Sequence, residues 1–593
     1  MTDPTTDATT DSMTDTEYQR QVDARARQLL EACFERGGHR STWSFHAALA
    51  CDGDAQELVA LTGRHLEPGP FNIFPGIVLL HRWGERIPAE AAANIKQMFV
   101  GGWQQRGNTE NHWLMYYVGN LLAAERWPQE KRFWNGLPTA AMQAEASRWI
   151  LGMIARTATQ GHYEYDSTGY HTEHFVPYLA LAEHAGDRHM RHQATQMVQL
   201  LLADMALEYF HGAYAGGHGR EGNVNTWTQV GPGQALNYLY FGDETFAPER
   251  HCQTYAMPAI AAAFRPPALL ARMALDRATP HVVRKTKPPR AVYRHVQRPA
   301  EAVYKYTWMS RSFALGSTQT GLPGAPAAPI DLTSWDLTWR GPRHQAKICC
   351  NHPYRSPLRF SAFLPDLPQR VGRDVGTSKP FLQVPDRLFG ASPYEQMLQH
   401  EGTIVVLYDI PEADEAPFVN CFLPKGSVWC EREGWLLSDL GDFYVGLRPI
   451  GPYCWEDIHE AGKDGNWIDG WLLRIHDVHA GFILEAVEGD AAGSFDQFCQ
   501  ARTTAHLDLT GWPRSRHVSV DSLAGVRLQI EFDGEHRIDG ARIDYAAYPL
   551  LSAPGVEAPL GTGRASFRHN GDTLELDFDI DPTAPPLPMR VIG

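Results

Sequence analysis

The first half of the chain carries apolar residues at the spacing of helices. One apolar stripe in residues 187–212 consists of Met190, Ala194, Met197, Leu201 and Met205. Positions that recur every three or four residues lie on one face of a helix. Asp187 precedes the stripe as a candidate N-cap, and Gly212 follows it as a stop signal. Two further helices are predicted for "DTEYQRQVDARARQLLEACFERGG" and "AEAAANIKQMFVGGW", which both run into a pair of glycines.

The second half changes to short segments that are rich in β-branched and aromatic residues. Turns containing Gly, Asp or Pro separate these segments, as in a large antiparallel sheet. The predicted strands lie in "GTIVVLYDI", "GSVWCEREGWLLSDLGDFYVGLRPI", "GWLLRIHDVHAGFILEAV", "VRLQIEF" and "ARIDYAAY". The segment "ASFRHNGDTLELDFDI" is predicted to form a hairpin whose turn is Asn570-Gly571.

These patterns divide the chain into four parts. Residues 1–15 are Thr- and Asp-rich and are predicted to be a disordered tail. Residues 16–280 are predicted to be an all-helical domain, and residues 304–593 an antiparallel β domain. Between them, residues 281–303 are basic, Pro-rich and poorly periodic, which indicates a linker. Helices followed by strands, without alternation, argue against an α/β fold of the Rossmann or barrel type.

Composition and charge narrow the class of protein. At 593 residues the chain exceeds one ordinary core. A net charge of −16 with scattered basic residues argues against binding nucleic acid or an anionic membrane, but leaves an acidic substrate open. The chain has no apolar run of the ~18 residues needed to span a membrane. The first residues do not resemble a secretory signal, so we expect a cytoplasmic protein.

The nine cysteines favour free thiols over disulfides or a zinc site. Their number is odd, and none of them shows the paired spacing of zinc ligands. The adjacent Cys349 and Cys350 are interpreted as strand residues. This cysteine usage is typical of a reducing compartment.

A first candidate site lies in "GNTENHWLMYY", where polar residues precede an apolar run. Asn108 or Thr109 is the predicted N-cap of a helix. Glu110, Asn111 and His112 then fall in its first turn, where free N–H groups and the helix dipole favour an anion. The Asn111 amide can donate to a carboxylate without carrying charge. The alternative is that these side chains only satisfy backbone groups.

A second candidate site is "GHYEYDSTGYHTEHFVPYLALAEHAGD". It crowds together His162, Tyr163, Glu164, Tyr165, Asp166, Tyr170, His171, Glu173 and His174. We expect a helix that begins near Thr172, with Pro177 just past its first turn and Tyr170 on the approach loop. So many titratable and aromatic groups favour the wall of a cleft over a polar loop. His171 and His174 have the spacing of a metal-binding pair, but a third ligand is not evident and no metal is predicted.

A third candidate site is the Gly-rich stretch "HGAYAGGHGREGNVNTWTQVGPG". Such a segment packs poorly and presents side chains well, although a loop without function is an equal alternative. Arg220 can grip a carboxylate through two hydrogen bonds. His218, Asn225 and Trp227 are further candidates for substrate binding. We expect the three stretches to converge at one end of a ring of helical hairpins.

The order of parts and three short stretches resemble the heparinase- and alginate-lyase-like proteins. The stretches are "NTENHW", "YEYDSTGYHTEHFVPYLALAEHAGD" and, in the β half, "GWLLSDLGDFYVGLRP". The likeness in layout covers most of residues 20 to 500. It implies an incomplete (α/α) toroid followed by a large antiparallel β-sandwich domain.

The resemblance also implies a reaction. Such lyases cleave glycans of uronic acid by β-elimination, with an Asn that neutralises the carboxylate and a Tyr or His that moves the proton. By resemblance, Asn111 is the neutraliser with help from His112, and Tyr170 is the base or acid with His174 near it. His218 and Arg220 are plausible partners for the carboxylate. Some members hold a metal in the β domain; His344 and His352 offer only part of a ligand set, so no cofactor is predicted.

Two other functions stay open. A glycoside hydrolase on a similar toroid would use two carboxylates as acid and base, drawn from Glu110, Glu164, Asp166 and Glu173. A non-catalytic carbohydrate-binding protein would show aromatic platforms without a buried acid–base pair. In each case the expected partner is an acidic oligosaccharide or polysaccharide, and Glu110 and Tyr163 are candidates for binding it. The resemblance further suggests a homodimer.

Overall fold

A computed structural model describes residues 13–580, apart from residues 38–39, 65–67, 108, 220–230, 289–301, 320–331, 342–345, 355–391 and 462–466. The chain forms two compact units. The first comprises residues 1–212, 230–276 and 555–593, and the second comprises residues 213–229 and 277–554. A helical region therefore precedes a large antiparallel β region, as the sequence pattern predicts. Residues 1–12 of the predicted tail, which was expected to cover residues 1–15, and residues 289–301 of the predicted linker lie outside the described residues. Within the predicted tail, Met13 is buried and a helix begins at Asp15.

The first unit is built from helices. They are α1 (Asp15–Glu35), α2 (Phe45–Ala50), α3 (Glu57–Thr62), α4 (Pro70–Trp83), α5 (Ala89–Val100), α6 (Glu110–Arg126), α7 (Thr139–Gln160), α8 (Tyr170–His184), α9 (Arg188–Leu207), α10 (Pro232–Tyr240), α11 (Pro248–His251), α12 (Met257–Ile260) and α13 (Ala268–Leu275). Short 3-10 turns cover Gly84–Arg86 and Thr254–Ala256. Helix α6 packs against α4, α7 and α8, so the first candidate stretch lies at the start of a central helix.

The helices predicted from periodicity are confirmed. Helix α9 is capped by the side chain of Asp187, which accepts a hydrogen bond from the backbone N–H of His189. All five residues of the predicted apolar stripe on α9 are buried. Helices α1 and α5 match the two other predicted segments.

The predicted start of α8 is wrong. The helix begins at Tyr170 rather than near Thr172, so Tyr170 is helical and does not lie on an approach loop. The hydroxyl of Ser167 accepts a hydrogen bond from the backbone N–H of Tyr170, one of the N–H groups at the helix start that have no partner within the helix. Pro177 lies inside the helix, where it removes one intrahelical donor without ending the helix.

A C-terminal hairpin returns to the helical unit. Strands β25 (Val556–Ala558), β26 (Arg564–His569) and β27 (Asp572–Asp577) pair antiparallel in sequence order. The turn is Asn570-Gly571, as predicted, with φ of 47° and 89°. Gln196 of α9 bonds to the backbone of Asp577 in both directions. Arg272 of α13 forms an ion pair with Asp572, so the hairpin is fastened to two helices.

The second unit is a stack of antiparallel sheets. Its strands, together with β1 of the first unit, are β1 (Tyr209–Phe210), β2 (Ala213–Tyr214), β3 (His218–Gly219), β4 (His281–Lys287), β5 (Val303–Met309), β6 (Phe313–Ser317), β7 (Leu332–Thr333), β8 (Trp335–Trp339), β9 (Lys347–Asn351), β10 (Glu395–His400), β11 (Thr403–Tyr408), β12 (Val419–Pro424), β13 (Cys430–Arg432), β14 (Trp435–Asp439), β15 (Phe443–Ile450), β16 (Tyr453–Ala461), β17 (Trp467–Ile475), β18 (Gly481–Glu488), β19 (Leu507–Asp508), β20 (His517–Asp521), β21 (Arg527–Glu531), β22 (His536–Ile538), β23 (Ala541–Arg542) and β24 (Leu551–Ala553). Helices α14 (Gly489–Ala492) and α15 (Phe495–Thr504) follow β18.

Three sheets of the second unit share two apolar cores. The largest sheet runs in the order β16-β17-β12-β9-β8-β6-β5-β4-β24, the second in the order β10-β11-β18-β15-β14-β13, and the third in the order β19-β20-β21-β22-β23. The core between the first two sheets includes Leu315, Leu337, Ile348, Val406, Val445 and Leu484. The opposite face of the second sheet packs against α15 and the third sheet through Leu398, Val405, Ile483, Phe498, Val518 and Leu528. Alternate residues of one strand therefore enter different cores.

Most predicted strands are confirmed, with one exception. "ARIDYAAY" forms only the two-residue β23 and then a 3-10 turn, Tyr545–Ala547, because the Asp544 side chain accepts from the backbone N–H of Ala546 and caps the turn. In the predicted linker, residues 281–287 form β4, which pairs with β5 along its whole length. Cys349 and Cys350 lie in β9, as expected, and all nine cysteines are free thiols. Among the described residues, no helix is both long enough and apolar enough to cross a membrane.

Glu395 is a carboxyl group buried within the second unit. It lies in β10 and accepts a hydrogen bond from the hydroxyl of Tyr408 at 2.6 Å. Burial raises its pKa to about 7, although the hydrogen bonds from Tyr408 and Ser334 oppose the shift. The side chain is therefore neutral in the folded protein at mildly acidic pH and ionises at a cost near neutral pH.

The titration of Glu395 predicts a pH-dependent stability. The folded pKa lies above the unfolded value, so the stabilisation is complete below pH ~4.5 and declines as the pH rises to ~7. Glu395→Gln keeps the shape and removes the titration. We expect the variant to gain stability relative to the wild type between pH 5 and pH 8, on the order of 3 kcal/mol. Thermal unfolding of both proteins across this pH range tests the prediction. A stability difference between the two proteins that does not change with pH would contradict it.

Candidate functional site

Two of the three candidate stretches meet in a buried polar cluster of the first unit. The cluster joins the first turn of α6, the end of α7, the segment between α7 and α8, and the first turns of α8. Its members are Glu110, Asn111, Arg156, His162, Tyr163, Glu164 and His174, and each is at most 8% exposed. We call these seven residues the acid–histidine cluster. The polar residues of the two stretches therefore pack on one another.

Glu110 is a buried anion. Its Oε1 accepts a hydrogen bond from Nη2 of Arg156 at 3.2 Å, and its Oε2 accepts one from the backbone N–H of Tyr163 at 2.7 Å. Burial by itself raises the pKa of this carboxyl. The adjoining His174 imidazole and the Arg156 guanidinium outweigh burial and hold the pKa below its usual range.

Asn111 binds a carboxylate of the protein itself. Its backbone N–H and its side-chain amide both donate to Oε2 of Glu164, at 3.0 and 2.5 Å. The helix begins at Glu110, and its N-cap Thr109 accepts from the backbone N–H of His112, whereas Asn108 lies outside the described residues. A free N–H group at a helix start favours an anion, and here the anion is the carboxylate of Glu164.

His174 lies between the two carboxylates. Its Nε2 is 3.6 Å from Oε2 of Glu110 and 3.8 Å from Oε2 of Glu164. The Nδ1–H donates to the backbone carbonyl of Tyr170 at 2.9 Å, which fixes the orientation of the ring. Burial lowers the pKa of this imidazole, but the two carboxylates outweigh burial and raise the pKa.

The remaining predicted residues of the first unit surround this cluster. His162 and His174 have ring centroids 4.7 Å apart, and the Arg156 guanidinium lies over the ring of Tyr163 at 5.1 Å. Asp166 is buried and has a left-handed backbone with φ of 51°. Buried as well are Tyr165, His171 and Glu173.

Tyr170 and His112 are the catalytic candidates that reach the surface. Both are half-buried. The ring of His112 meets the edge of Phe71 at 5.3 Å, and Phe71 also packs against Tyr255 at 5.3 Å. Phe71 and Tyr255 are half-buried too. An aromatic rim therefore lies beside the starts of α4 and α6.

The third candidate stretch is described only in part. Arg220, Asn225 and Trp227 lie outside the described residues. His218 belongs to the second unit, where β3 pairs with β7. It is fully buried, and its Nε2 is 3.7 Å from Oδ2 of Asp336, which also forms an ion pair with Lys347.

Of the two histidines considered for a metal in the β region, His352 lies among the described residues. His344 lies outside them. His352 contacts the hydroxyl of Ser392 through Nδ1 and the carbonyl of Ala416 through Nε2, both at 2.8 Å. Both ring nitrogens of His352 are thus used in local packing.

Sequence reasoning missed Arg156 and the aromatic rim. Arg156 is a buried charge on the apolar face of α7, between Ile154 and Ala158. A charged residue at an apolar position of a helix is a signal that it pairs with a buried acid. Phe71 and Tyr255 carry no comparable signal, because aromatic residues are common in any core.

Comparison with known proteins adds no identification. No protein-family model matches the chain, and no curated protein matches it significantly. The resemblance to the heparinase- and alginate-lyase-like proteins therefore stays a prediction.

The ion pair between Arg156 and Glu110 predicts a large loss of stability in one variant. Arg156→Met leaves the buried carboxylate without its guanidinium, which costs about 3–5 kcal/mol for buried pairs. Arg148 lies on the same helix and is exposed, so Arg148→Met is the matched control, with an effect within about 0.5 kcal/mol. Thermal unfolding of the three proteins measures both. Equal effects of the two substitutions would contradict the role of the ion pair.

Proposed function

We propose that the protein is a carbohydrate-active lyase that cleaves oligosaccharides or polysaccharides of uronic acid by β-elimination. The proposal includes the finer fold, an incomplete (α/α) toroid before the β region. The observation that carries it is the position of Tyr170 at the start of α8. Its side chain is half-buried, while its carbonyl is held by His174 of the acid–histidine cluster. A partly exposed phenol on a rigidly held backbone suits a proton-transfer group.

The starts of two helices supply the electrostatics that elimination needs. Removal of the C5 proton of a uronate builds negative charge on its carboxylate. The N-terminal ends of α6 and α8 meet at the cluster, because Glu110 is the first residue of α6 and His174 is the fifth residue of α8. Both helix dipoles therefore place their positive ends at this region. This arrangement supports an acidic substrate despite the net charge of −16.

The aromatic rim supports a sugar substrate. Phe71, His112 and Tyr255 are half-buried rings near the start of α6, and Phe71 contacts both of the others. Flat apolar rings offer stacking surface to the faces of pyranose rings. In the proposed reaction Tyr170 moves the proton and His112 binds the carboxylate, while Asn111, Glu164 and His174 position these groups.

A glycoside hydrolase is supported less well. Glu110 and Glu164 are close, since one carboxylate oxygen of each and a ring nitrogen of His174 all lie within 4.8 Å of one another. Retaining hydrolases place two carboxyl groups about 5–5.5 Å apart on either side of the sugar bond. Here both carboxylates are at most 2% exposed and already accept hydrogen bonds from the protein. They are therefore better suited to positioning than to attacking a sugar.

The test is the ultraviolet absorbance of the C4–C5 double bond that elimination creates. The full chain is incubated with a panel of uronate-containing glycans and oligosaccharides. Tyr170→Phe is expected to lower the rate about 10²–10⁴-fold, the usual contribution of a general acid or base. Tyr116→Phe, a half-buried tyrosine in the middle of α6, is the control and is expected to keep the rate. Reducing ends without new absorbance would favour hydrolysis, and equal rates in both variants would contradict the role of Tyr170.

A further inference from the structure

Within the acid–histidine cluster, three side chains point their ligand atoms at one small volume. They are Glu110, Glu164 and His174, from α6, the segment before α8, and α8 itself. One oxygen of each carboxylate and one imidazole nitrogen lie within 4.8 Å of one another. All three residues are at most 2% exposed.

The geometry at His174 is wrong for hydrogen bonds and close to that of a metal centre. Its Nε2 lies 3.6 and 3.8 Å from the two carboxylate oxygens, beyond hydrogen-bond distance. Two ligand atoms bound tetrahedrally at roughly 2.0–2.2 Å lie about 3.4 Å apart. The two distances from Nε2 exceed this spacing by a few tenths of an ångström, and the two carboxylate oxygens lie within 4.8 Å of each other. In the part of the chain that the structure describes, Nε2 of this buried ring has no hydrogen-bond partner.

The second ring nitrogen of His174, Nδ1, makes the kind of hydrogen bond that is common in metal-binding histidines. Nδ1–H donates to the carbonyl of Tyr170 at 2.9 Å, which directs the lone pair of the neutral ring to Nε2. A hydrogen bond from the second ring nitrogen to a backbone carbonyl is the usual support of a histidine ligand. The same ring nitrogen, Nε2, is the one that faces both carboxylates.

A second buried acceptor belongs to Asn111, the residue that binds Glu164. Asn111 is fully buried, and its amide nitrogen donates to Glu164. Within the described residues its Oδ1 has no hydrogen-bond partner. An amide oxygen beside a carboxylate ligand is a hard donor of the kind that divalent ions accept.

We infer that Glu110, Glu164 and His174 bind one divalent metal ion of the first transition row, such as Zn²⁺ or Mn²⁺. Two carboxylates balance the charge of the ion, and a carboxylate–imidazole donor set suits these metals better than Ca²⁺ or Mg²⁺. Arg156 binds Oε1 of Glu110 and leaves Oε2 facing His174. That Oε2 accepts one N–H bond, from Tyr163, and Oε2 of Glu164 accepts two, from Asn111, so the ion would share these oxygens with N–H donors. This inference goes beyond the proposed lyase activity and does not require it.

A second group of potential ligands serves as an internal comparison. Cys454, Glu456 and His476 also place ligand atoms within 4.8 Å of one another. They lie on and beside β16 and β17 in the second unit, and His476 is well exposed. Its thiol distinguishes this group from the acid–histidine cluster, which contains only oxygen and nitrogen donors.

The test uses the full chain without an affinity tag, stripped with a chelator and then dialysed against Zn²⁺, Mn²⁺ or Co²⁺. We expect about one ion per chain by elemental analysis and a higher midpoint of thermal unfolding with the bound ion. Glu164→Gln is expected to weaken binding more than tenfold. The control Cys454→Ser is expected to leave binding unchanged. Retention of none of the three ions, or retention that Glu164→Gln does not change, overturns the proposal.

The cobalt spectrum of the wild type keeps the test decisive if a variant fails to fold. Co²⁺ bound by Glu110, Glu164 and His174 gives visible ligand-field bands without a thiolate-to-cobalt charge-transfer band. A charge-transfer band that disappears in Cys454→Ser would assign the ion to the second group and overturn the proposal. Because both measurements are made without a glycan, their outcome is separate from that of the elimination assay.

Discussion

The helical unit depends on the neutralisation of buried carboxylates. Glu110 and Glu164 are almost fully removed from water, where an isolated anion would be prohibitively unstable. Each is compensated by groups from another part of the chain. Arg156 reaches Glu110 from α7, and the first turn of α6 reaches Glu164. These contacts between buried charged groups therefore connect α6, α7 and α8 to one another.

The second unit solves a similar problem with a different arrangement. Glu485 of β18 is buried between the second sheet and α15 and forms an ion pair with Arg502 of that helix. It also accepts hydrogen bonds from the hydroxyl of Thr403 and the backbone N–H of Leu523. Removal of any one partner would leave the buried carboxylate of Glu485 short of a hydrogen bond. Such a network specifies how the helix lies on the sheet more strictly than apolar packing alone.

The order of helices and strands was predictable from periodicity, since the helical stripe of α9 and the short β-branched segments are local signals. The cap at Asp187 and the turn at Asn570-Gly571 are local as well, and both are confirmed. The start of α8 was missed because several polar residues in that stretch could precede a helix, and its N-cap is Gly169, which makes no side-chain cap hydrogen bond.

The candidate site was predictable in its residues but not in its contacts. Polar crowding singled out Asn111, Glu164 and His174, and the fold brings them together. The sequence did not indicate that the Asn111 amide would bind Glu164 instead of a substrate. Arg156 was missed because its partner lies 46 residues earlier in the chain, a distance over which no local pattern acts.

The C-terminal hairpin has a consequence for biosynthesis. The helical unit contains residues both before and after the long β segment, and β26 and β27 are fastened to α9 and α13. A ribosome therefore releases nearly all of the helices before it has made the strands that complete them. While residues 277–554 emerge, the sites on α9 and α13 that receive the hairpin stay open to other contacts. The β unit is contiguous over most of its length and can fold before the C-terminal hairpin is made. The helical unit, whose helices are synthesised first, is therefore the last to complete its fold.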